Sequence, residues 1–173
     1  LQFRRMLDVG AGPGTWAFAF LRAVPDATAV LFDLPHAIEL ARRKAEEAGL
    51  VHRIDFVVGD FYRDELPANV DFTWVSAITH QNSREQNREL FRKVFRALEP
   101  GGQIAIRDVV LEPDRTAPLE GALFAVNMLV GTPSGGTYTL EEFREDLFAA
   151  GFSEPHLRIR SENMNSVILA HRR

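Results

Sequence analysis

The sequence predicts an α/β fold built on a doubly wound, mostly parallel sheet. Three observations predict it. Short aliphatic runs alternate with segments of helical apolar spacing along the whole chain. Several of those runs stop at glycine or aspartate: Val9-Gly10, Phe32-Asp33 and Val58-Gly59-Asp60. The length, 173 residues with 46% hydrophobic, suits one domain, and a chain of roughly 150 residues buries about two-thirds of its unfolded surface.

The elements follow in order. Phe3–Val9 is a strand that runs into Gly10-Ala11-Gly12-Pro13-Gly14, and a helix continues to about Ala23. Ala29–Phe32 is a second strand, closed by Asp33. Pro35 then stands where a helix start tolerates a missing N–H. Ile38, Ala41, Ala45 and Ala48 recur at helical spacing, Glu39 and Arg43 form an i,i+4 pair, and Gly49 is the stop. Ile54–Val58 and Val70–Ala77 are the third and fourth strands. Ser83-Arg84-Glu85-Gln86 is a capping box opening a helix with Leu90, Phe91, Val94, Phe95 and Leu98 on its apolar face, and Pro100-Gly101-Gly102 is expected to break the chain there. Gln103–Leu111 reads as a long fifth strand, Leu119–Val130 as a helix apolar almost all round, and Gly131–Thr137 as a flexible loop. Thr139-Leu140-Glu141-Glu142 is a second capping box, with Leu140, Phe143 and Leu147 on one face and Gly151 at the stop. Two closing strands, near 154–160 and 166–171, bring the count to seven.

Composition narrows the function classes. Net charge is −4, which disfavours nucleic acid or an acidic membrane surface, since phosphates call for clustered Lys and Arg. Without cysteine there is no disulfide framework, thiol catalysis or zinc finger, and a cytoplasmic location is expected. No stretch reaches the roughly 18 apolar residues of a membrane span, and no signal-peptide pattern is present. The chain starts without Met and is inside a strand by Asp8, so an excerpt of a longer protein is expected.

Ligands of such sheets bind beyond the carboxyl ends of the strands, where strand order reverses. Asp8-Val9-Gly10-Ala11-Gly12-Pro13-Gly14 has the form D-x-G-x-G-x-G. Its last glycine comes one residue earlier than in the dinucleotide pattern G-x-G-x-x-G. Pro13 removes an N–H donor, and the carboxylate of Asp8 suits a cationic amine better than phosphates. On its own a glycine loop is weak evidence, a structural turn being the other reading. Asp33 follows about 20 residues on, where a carboxylate accepts from ribose hydroxyls; the other reading is a helix-start aspartate facing the dipole. Asp60 is placed for an adenine amino group, with Phe61 to pack on the base, or is a simple turn aspartate.

These residues resemble class I S-adenosylmethionine-dependent methyltransferases, and within them the catalytic domain of the small-molecule O-methyltransferases of plant phenolic and bacterial secondary metabolism. The likeness is carried by LDVGAGPG at 7–14, FDLPHAIELA at 32–41, GDFY at 59–62, ITHQNSREQ at 78–86, LEPGG at 98–102, IRDVVLEP at 106–113, ALFAVNMLV at 122–130, GGTYTLEEF at 135–143 and AGF at 150–152. The resemblance implies a Rossmann-like sheet whose last strand is antiparallel, with residues 1–173 as the S-adenosylmethionine-binding catalytic domain. It implies that Gly10, Gly12 and Gly14 line the methionine part of the cofactor with Asp8 nearby. Asp33 with Leu34 then holds the ribose, and Asp60 and Phe61 hold the adenine. His80 falls at the family's general base, and Asp108 where a steering Glu often stands. The family's second steering Glu would fall near Thr137, and its usual His-Asp-Trp is here His80-Gln81-Asn82. An N-terminal helical domain that dimerises and closes the pocket is expected outside this chain.

The chemistry asked of such a site is modest. Methyl transfer from a sulfonium is an in-line displacement, in which positioning is worth about 7–11 kcal/mol and a base adds roughly 10²–10⁴-fold. A histidine suits a base, the free side chain titrating at about 6.5, although a histidine at a strand end is often only a capping or surface residue. Asn127 and Met128, in the apolar helix with Phe124 and Leu129, are the candidate acceptor-binding residues; core packing or a structural amide is the alternative for each. Asn163 and Asn165 are placed similarly near the last strand. His36, His52, His156 and His171 have no partners at ligand spacing. No metal is expected, since Asp60 and Asp108 belong to no dense carboxylate cluster. The functions compatible with this reading are O-methylation of a small aromatic hydroxyl, methylation at nitrogen or carbon, an NAD(P)-dependent oxidoreductase, and a non-catalytic S-adenosylmethionine-binding regulator.

Overall fold

The computed structural model describes residues 2–163 and 165–173. In chain order the elements are β1 (Arg5–Val9), α1 (Thr15–Ala23), β2 (Thr28–Asp33), α2 (Pro35–Glu47), β3 (Ile54–Val58), β4 (Val70–Ser76), α3 (Arg84–Ala97) and β5 (Leu98–Asp108). Then come β6 (Val110–Leu111), α4 (Leu119–Gly131), β7 (Tyr138–Thr139), α5 (Leu140–Ala149), β8 (Ser153–Ile159) and β9 (Ser166–His171). Single 3₁₀ turns stand at Val51–Arg53 and Thr79–Gln81. Seven strands form one sheet in the order β3-β2-β1-β4-β5-β9-β8. The first five pair in parallel, and β9 is antiparallel to both its neighbours. This is the fold class that the sequence predicts.

Helices on both faces explain why the central strands read as nearly unbroken apolar runs. On one face α1 and α2 lay Ala17, Phe18, Leu21, Ile38, Ala41 and Ala45 on Met6, Leu31, Phe72, Trp74 and Ala105. On the other, α3 and α5 lay Leu90, Phe91, Val94, Phe143 and Leu147 on Leu7, Val9, Phe32, Val75 and Ile106. Both capping boxes form. The Ser83 and Thr139 hydroxyls accept from the N–H groups of Gln86 and Glu142, whose side chains accept in return from the N–H groups of Ser83 and Thr139. The Glu39–Arg43 pair is present at 3.8 Å on an exposed face, where it adds a few tenths of a kcal/mol at most.

Two expectations need correction. Pro100-Gly101-Gly102 does not separate α3 from the fifth strand; β5 starts at Leu98 and carries the three residues as an irregularity. Leu98 pairs with Val70 and Gln103 with Phe72, so the register slips between them, and Gly101 and Gly102 exchange backbone bonds with Arg172. At its other end β5 stops at Asp108 rather than Leu111. Val110–Leu111 leaves the sheet to pair in parallel with Tyr138–Thr139. That turn takes the chain out of the sheet towards α4.

Candidate active site

The strand order reverses between β1 and β4, and beyond their carboxyl ends lies a cleft of about 410 Å³. Gly10, Asp33, Leu34, Gly59, Asp60 and Phe61 line one part, and Tyr62, Ser76, Ala77, Ile78 and Gln81 the rest. Each group arrives at the end of a different strand, which is why residues far apart in sequence meet here. Gly10 has φ +65°, and a Cβ on it would stand 2.4 Å from Ile78 Cδ1; only glycine lets β1 end against the segment after β4. Asp33 ties the loop down. Its Oδ2 accepts from the Gly12 N–H at 2.7 Å and its Oδ1 from the Leu34 N–H at 2.7 Å. Each oxygen keeps the capacity to accept a further hydrogen bond. Asp60 Oδ1 accepts from the Tyr62 N–H at 2.9 Å, and the Phe61 and Tyr62 rings stand 4.4 Å apart. Ala77 holds φ 57°, a left-handed backbone rare for alanine, at the point where β4 turns from the sheet into the cleft wall.

Gly12, Gly14 and Asp8 lie outside the lining, Gly12 touching it only through its N–H bond to Asp33. Gly14 caps the start of α1 in a left-handed conformation. Asp8 is buried on the α1 side with Oδ2 unpaired. Burial pushes its pKa up to about 8, a backbone bond from Ala17 opposing and the charge of Asp33 adding.

A second constellation lies where β5 ends. The His80 ring Nδ1 stands 2.9 Å from Asp108 Oδ1, and both residues are buried. A carboxylate only accepts, so Nδ1 carries the proton and Nε2 keeps the free lone pair. Asp108 is itself held by the Thr79 hydroxyl at 2.6 Å, the Val109 N–H at 2.8 Å and the His80 N–H at 3.3 Å. The His80 ring meets Phe124 of α4 edge-on at 4.9 Å. Its carbonyl accepts from the Gly136 N–H at 3.0 Å. A Cβ at Gly135 would stand 2.4 Å from that same oxygen, so the 131–137 loop closes on His80 only because glycine is there. Thr137, in the place of an acidic residue, is buried with its hydroxyl unpaired. Asn82 joins the two halves: it accepts from Tyr62 Oη at 2.6 Å through its side chain and from Tyr138 Oη through its carbonyl, and donates to Asn87 at 3.0 Å.

Of the residues expected from sequence, the structure brings Gly10, Asp33, Leu34, Asp60 and Phe61 together in the cleft and pairs His80 with Asp108. It adds Tyr62, Thr79, Gln81, Asn82 and the Ser76–Ile78 wall, which the sequence reading did not name as site residues. Position just past a strand end was the signal for all of them, since these residue types carry no motif of their own. Asn127 is exposed on α4 and Met128 half-buried; Phe124 is the α4 residue that reaches His80. Asn163 bonds locally to Ser161, and Asn165 accepts from Arg107 on β5. A larger cleft of about 540 Å³ by Pro118 and Arg160 holds an Arg160–Glu112 ion pair.

The O-methyltransferase domain family matches residues 1–153. The chain belongs to that family. Among curated relatives of this O-methyltransferase domain, 3-hydroxy-5-methyl-1-naphthoate 3-O-methyltransferase of Streptomyces sahachiroi is 36% identical over 166 residues, covering 95% of this chain and 48% of the relative. A phenazine O-methyltransferase of Lysobacter antibioticus is 34% identical, covering 87% and 43%. Of solved structures, an O-methyltransferase family 2 protein of Planctomyces limnophilus in complex with apigenin superposes with a TM-score of 0.89 at 32% identity, covering 97% of this chain and 50% of that one. Human N-acetylserotonin methyltransferase in complex with SAM superposes at 0.87 with 28% identity, covering 98% and 48%. The chain thus spans about half the length of the curated relatives it matches. Among the described residues no helix is long and apolar enough to cross a membrane.

Proposed function

We propose that this chain is the S-adenosylmethionine-binding catalytic part of an enzyme that methylates a hydroxyl of a small aromatic molecule. The observation that carries it is one edge of one sheet bearing both a glycine-and-aspartate cleft and a buried His80–Asp108 pair. The cleft residues fit the cofactor. Gly10 leaves backbone open to a ligand, Asp33 offers lone pairs to a diol, and Asp60 beside Phe61 offers an acceptor and a flat surface to a base. When bound, the sulfonium supplies an electrophilic methyl group. His80 Nε2 takes the acceptor's hydroxyl proton as the oxygen attacks. Asp108 holds the ring in the tautomer that leaves Nε2 free and stabilises the imidazolium that forms. Phe124 and Met128 supply apolar wall on the α4 side, with Asn127 as the polar group proposed for the acceptor's rim. Aromatic acceptors are favoured by the names of the relatives, which act on a naphthoate and a phenazine.

A homodimer through an N-terminal helical region belongs to the same proposal, with the cytoplasm as its compartment. It is supported by α4, where Leu119, Leu123, Val126, Leu129 and Val130 are all exposed, and by the length of the relatives. Calorimetry tests the cofactor reading: S-adenosylhomocysteine should bind and NAD should not. Tight NAD binding with no adenosyl-sulfur binding would sink it. Light scattering on the full-length protein should give a dimer, and an active monomer would overturn that part.

A further inference from the structure

Arg107 lies on β5 in register with Ser76 of β4 and Val167 of β9, on the sheet face that packs against α1. Its guanidinium donates to Ser76 Oγ at 3.0 Å and, through two nitrogens, to Asn165 Oδ1 at 2.9 and 2.6 Å. It also lies over the Trp16 ring, 5.0 Å from the centroid. All of these partners are neutral. Among the described residues Arg107 forms no ion pair, unlike Arg84 and Arg88, which share the buried Asp146. Arg53 and Arg172 also lack carboxylates, but each is tied to carbonyls at or just past the end of a helix, the negative end of its dipole. Arg107 has no such compensation.

A guanidinium carries five N–H donors, and three are used here. One on each terminal nitrogen is left, free to donate to a carboxylate. The location is at the ligand edge. Ser76 lines the cleft, and Trp16 stands in the first turn of α1, just after the glycine loop. We propose that Arg107 recognises a ligand carboxylate at the ends of β4 and β5. That carboxylate belongs either to the amino-acid tail of the cofactor or to an acceptor that is a hydroxyaryl carboxylate. The inference rests on the reading of the cleft as the adenosyl cofactor's site.

The test uses the full-length protein with wild type, Arg107→Gln and Arg107→Lys, their folding checked by thermal melting. Calorimetry compares two pairs of probes. S-adenosylhomocysteine has the amino-acid tail and methylthioadenosine lacks it; 3-hydroxy-2-naphthoate has a carboxylate and 2-naphthol lacks it. Arg107→Gln should weaken one carboxylate-bearing probe roughly 10–100-fold, the loss of a charge-assisted bond, and leave its counterpart unchanged. The pair that responds names the source of the carboxylate. If Arg107→Gln does not fold, Arg107→Lys makes the same comparison. It keeps the charge and loses the fork, so a smaller loss on the same probe is expected. Equal binding of all four probes by wild type and variant would overturn the role of Arg107. Failure of wild type itself to bind S-adenosylhomocysteine would instead overturn the cofactor reading.

Discussion

The two sides of the ligand edge are built differently. The ends of β1, β2 and β3 form a finished surface. Asp33 stitches the glycine loop to β2 through backbone N–H groups, Phe32 and Ile78 are buried behind it, and neighbouring strands fix each position. The α4 side is open. In the helix Leu119–Gly131 only Gly121 is buried, against Val109, Leu111 and Pro118, while the flanking leucines and valines face outward. The difference teaches where binding energy and selectivity come from. The sheet edge is pre-organised for a ligand of fixed shape, whereas the α4 side takes its shape from whatever covers it, and under the proposed function that is where an acceptor would be selected.

The same difference decides what could be read from sequence. The finished side is local. Asp8 to Gly14 and Phe32 to Asp33 are contiguous segments whose spacing mirrors strand, turn and helix, so their residues were named in advance. The His80–Asp108 pair was within reach for a similar reason, since β4 and β5 are neighbours in register and both residues sit near strand ends. What stayed hidden depends on tertiary contact alone. Nothing in the string 131–137 tells that Gly135 and Gly136 press on the His80 carbonyl, that Tyr62 and Tyr138 converge on Asn82, or that Phe124 rather than Asn127 meets the His80 ring. The end of β5 was misplaced because Val109–Leu111 is as apolar as a strand, and only its pairing with β7 reveals the break.

The largest expected effect separates chemistry from binding. His80→Ala in the full-length enzyme should lower kcat by roughly 10²–10⁴-fold on a neutral phenol and leave S-adenosylhomocysteine affinity unchanged. Asp108→Asn should cost less, because the base remains although its tautomer and charge support are lost. A phenol ionised at the assay pH should be far less sensitive to both. Near-normal turnover of a neutral acceptor by His80→Ala would show that positioning alone carries the reaction.

An intermediate effect tests the finished side. Asp33→Ala removes both the proposed acceptor for ribose hydroxyls and the bond that holds Gly12. Binding of S-adenosylhomocysteine and of methylthioadenosine should weaken together by roughly 10–100-fold, the worth of charged hydrogen bonds, with kcat at saturation little changed. A loss confined to S-adenosylhomocysteine would mean that Asp33 senses the amino-acid tail and not the ribose.

The smallest effect is a slope, and it sharpens the idea that the cofactor side is preformed at some cost. Asp8 is buried with one oxygen unpaired, and its carboxyl is pushed up to about 8, mainly by desolvation and further by Asp33, against the Ala17 backbone bond. In the unfolded chain an aspartate titrates near about 3.9. Between those values the folded state holds a proton that the unfolded state has released, so stability falls as pH rises. The contribution is fully present below about 4 and lost as pH passes through about 8, at no more than about 1.4 kcal/mol per pH unit for one proton. Melting of the ligand-free protein from pH 5 to 9 should show this descent. Asp8→Asn keeps an acceptor for the Ala17 N–H and cannot ionise, so its curve should be flatter by up to one proton. Cationic S-adenosylmethionine favours the ionised carboxylate, and so should flatten the wild-type curve more than S-adenosylhomocysteine, which lacks the sulfonium charge. If Asp8→Asn keeps the wild-type slope, the buried carboxyl is not the group that titrates, and the strain on the finished side lies elsewhere.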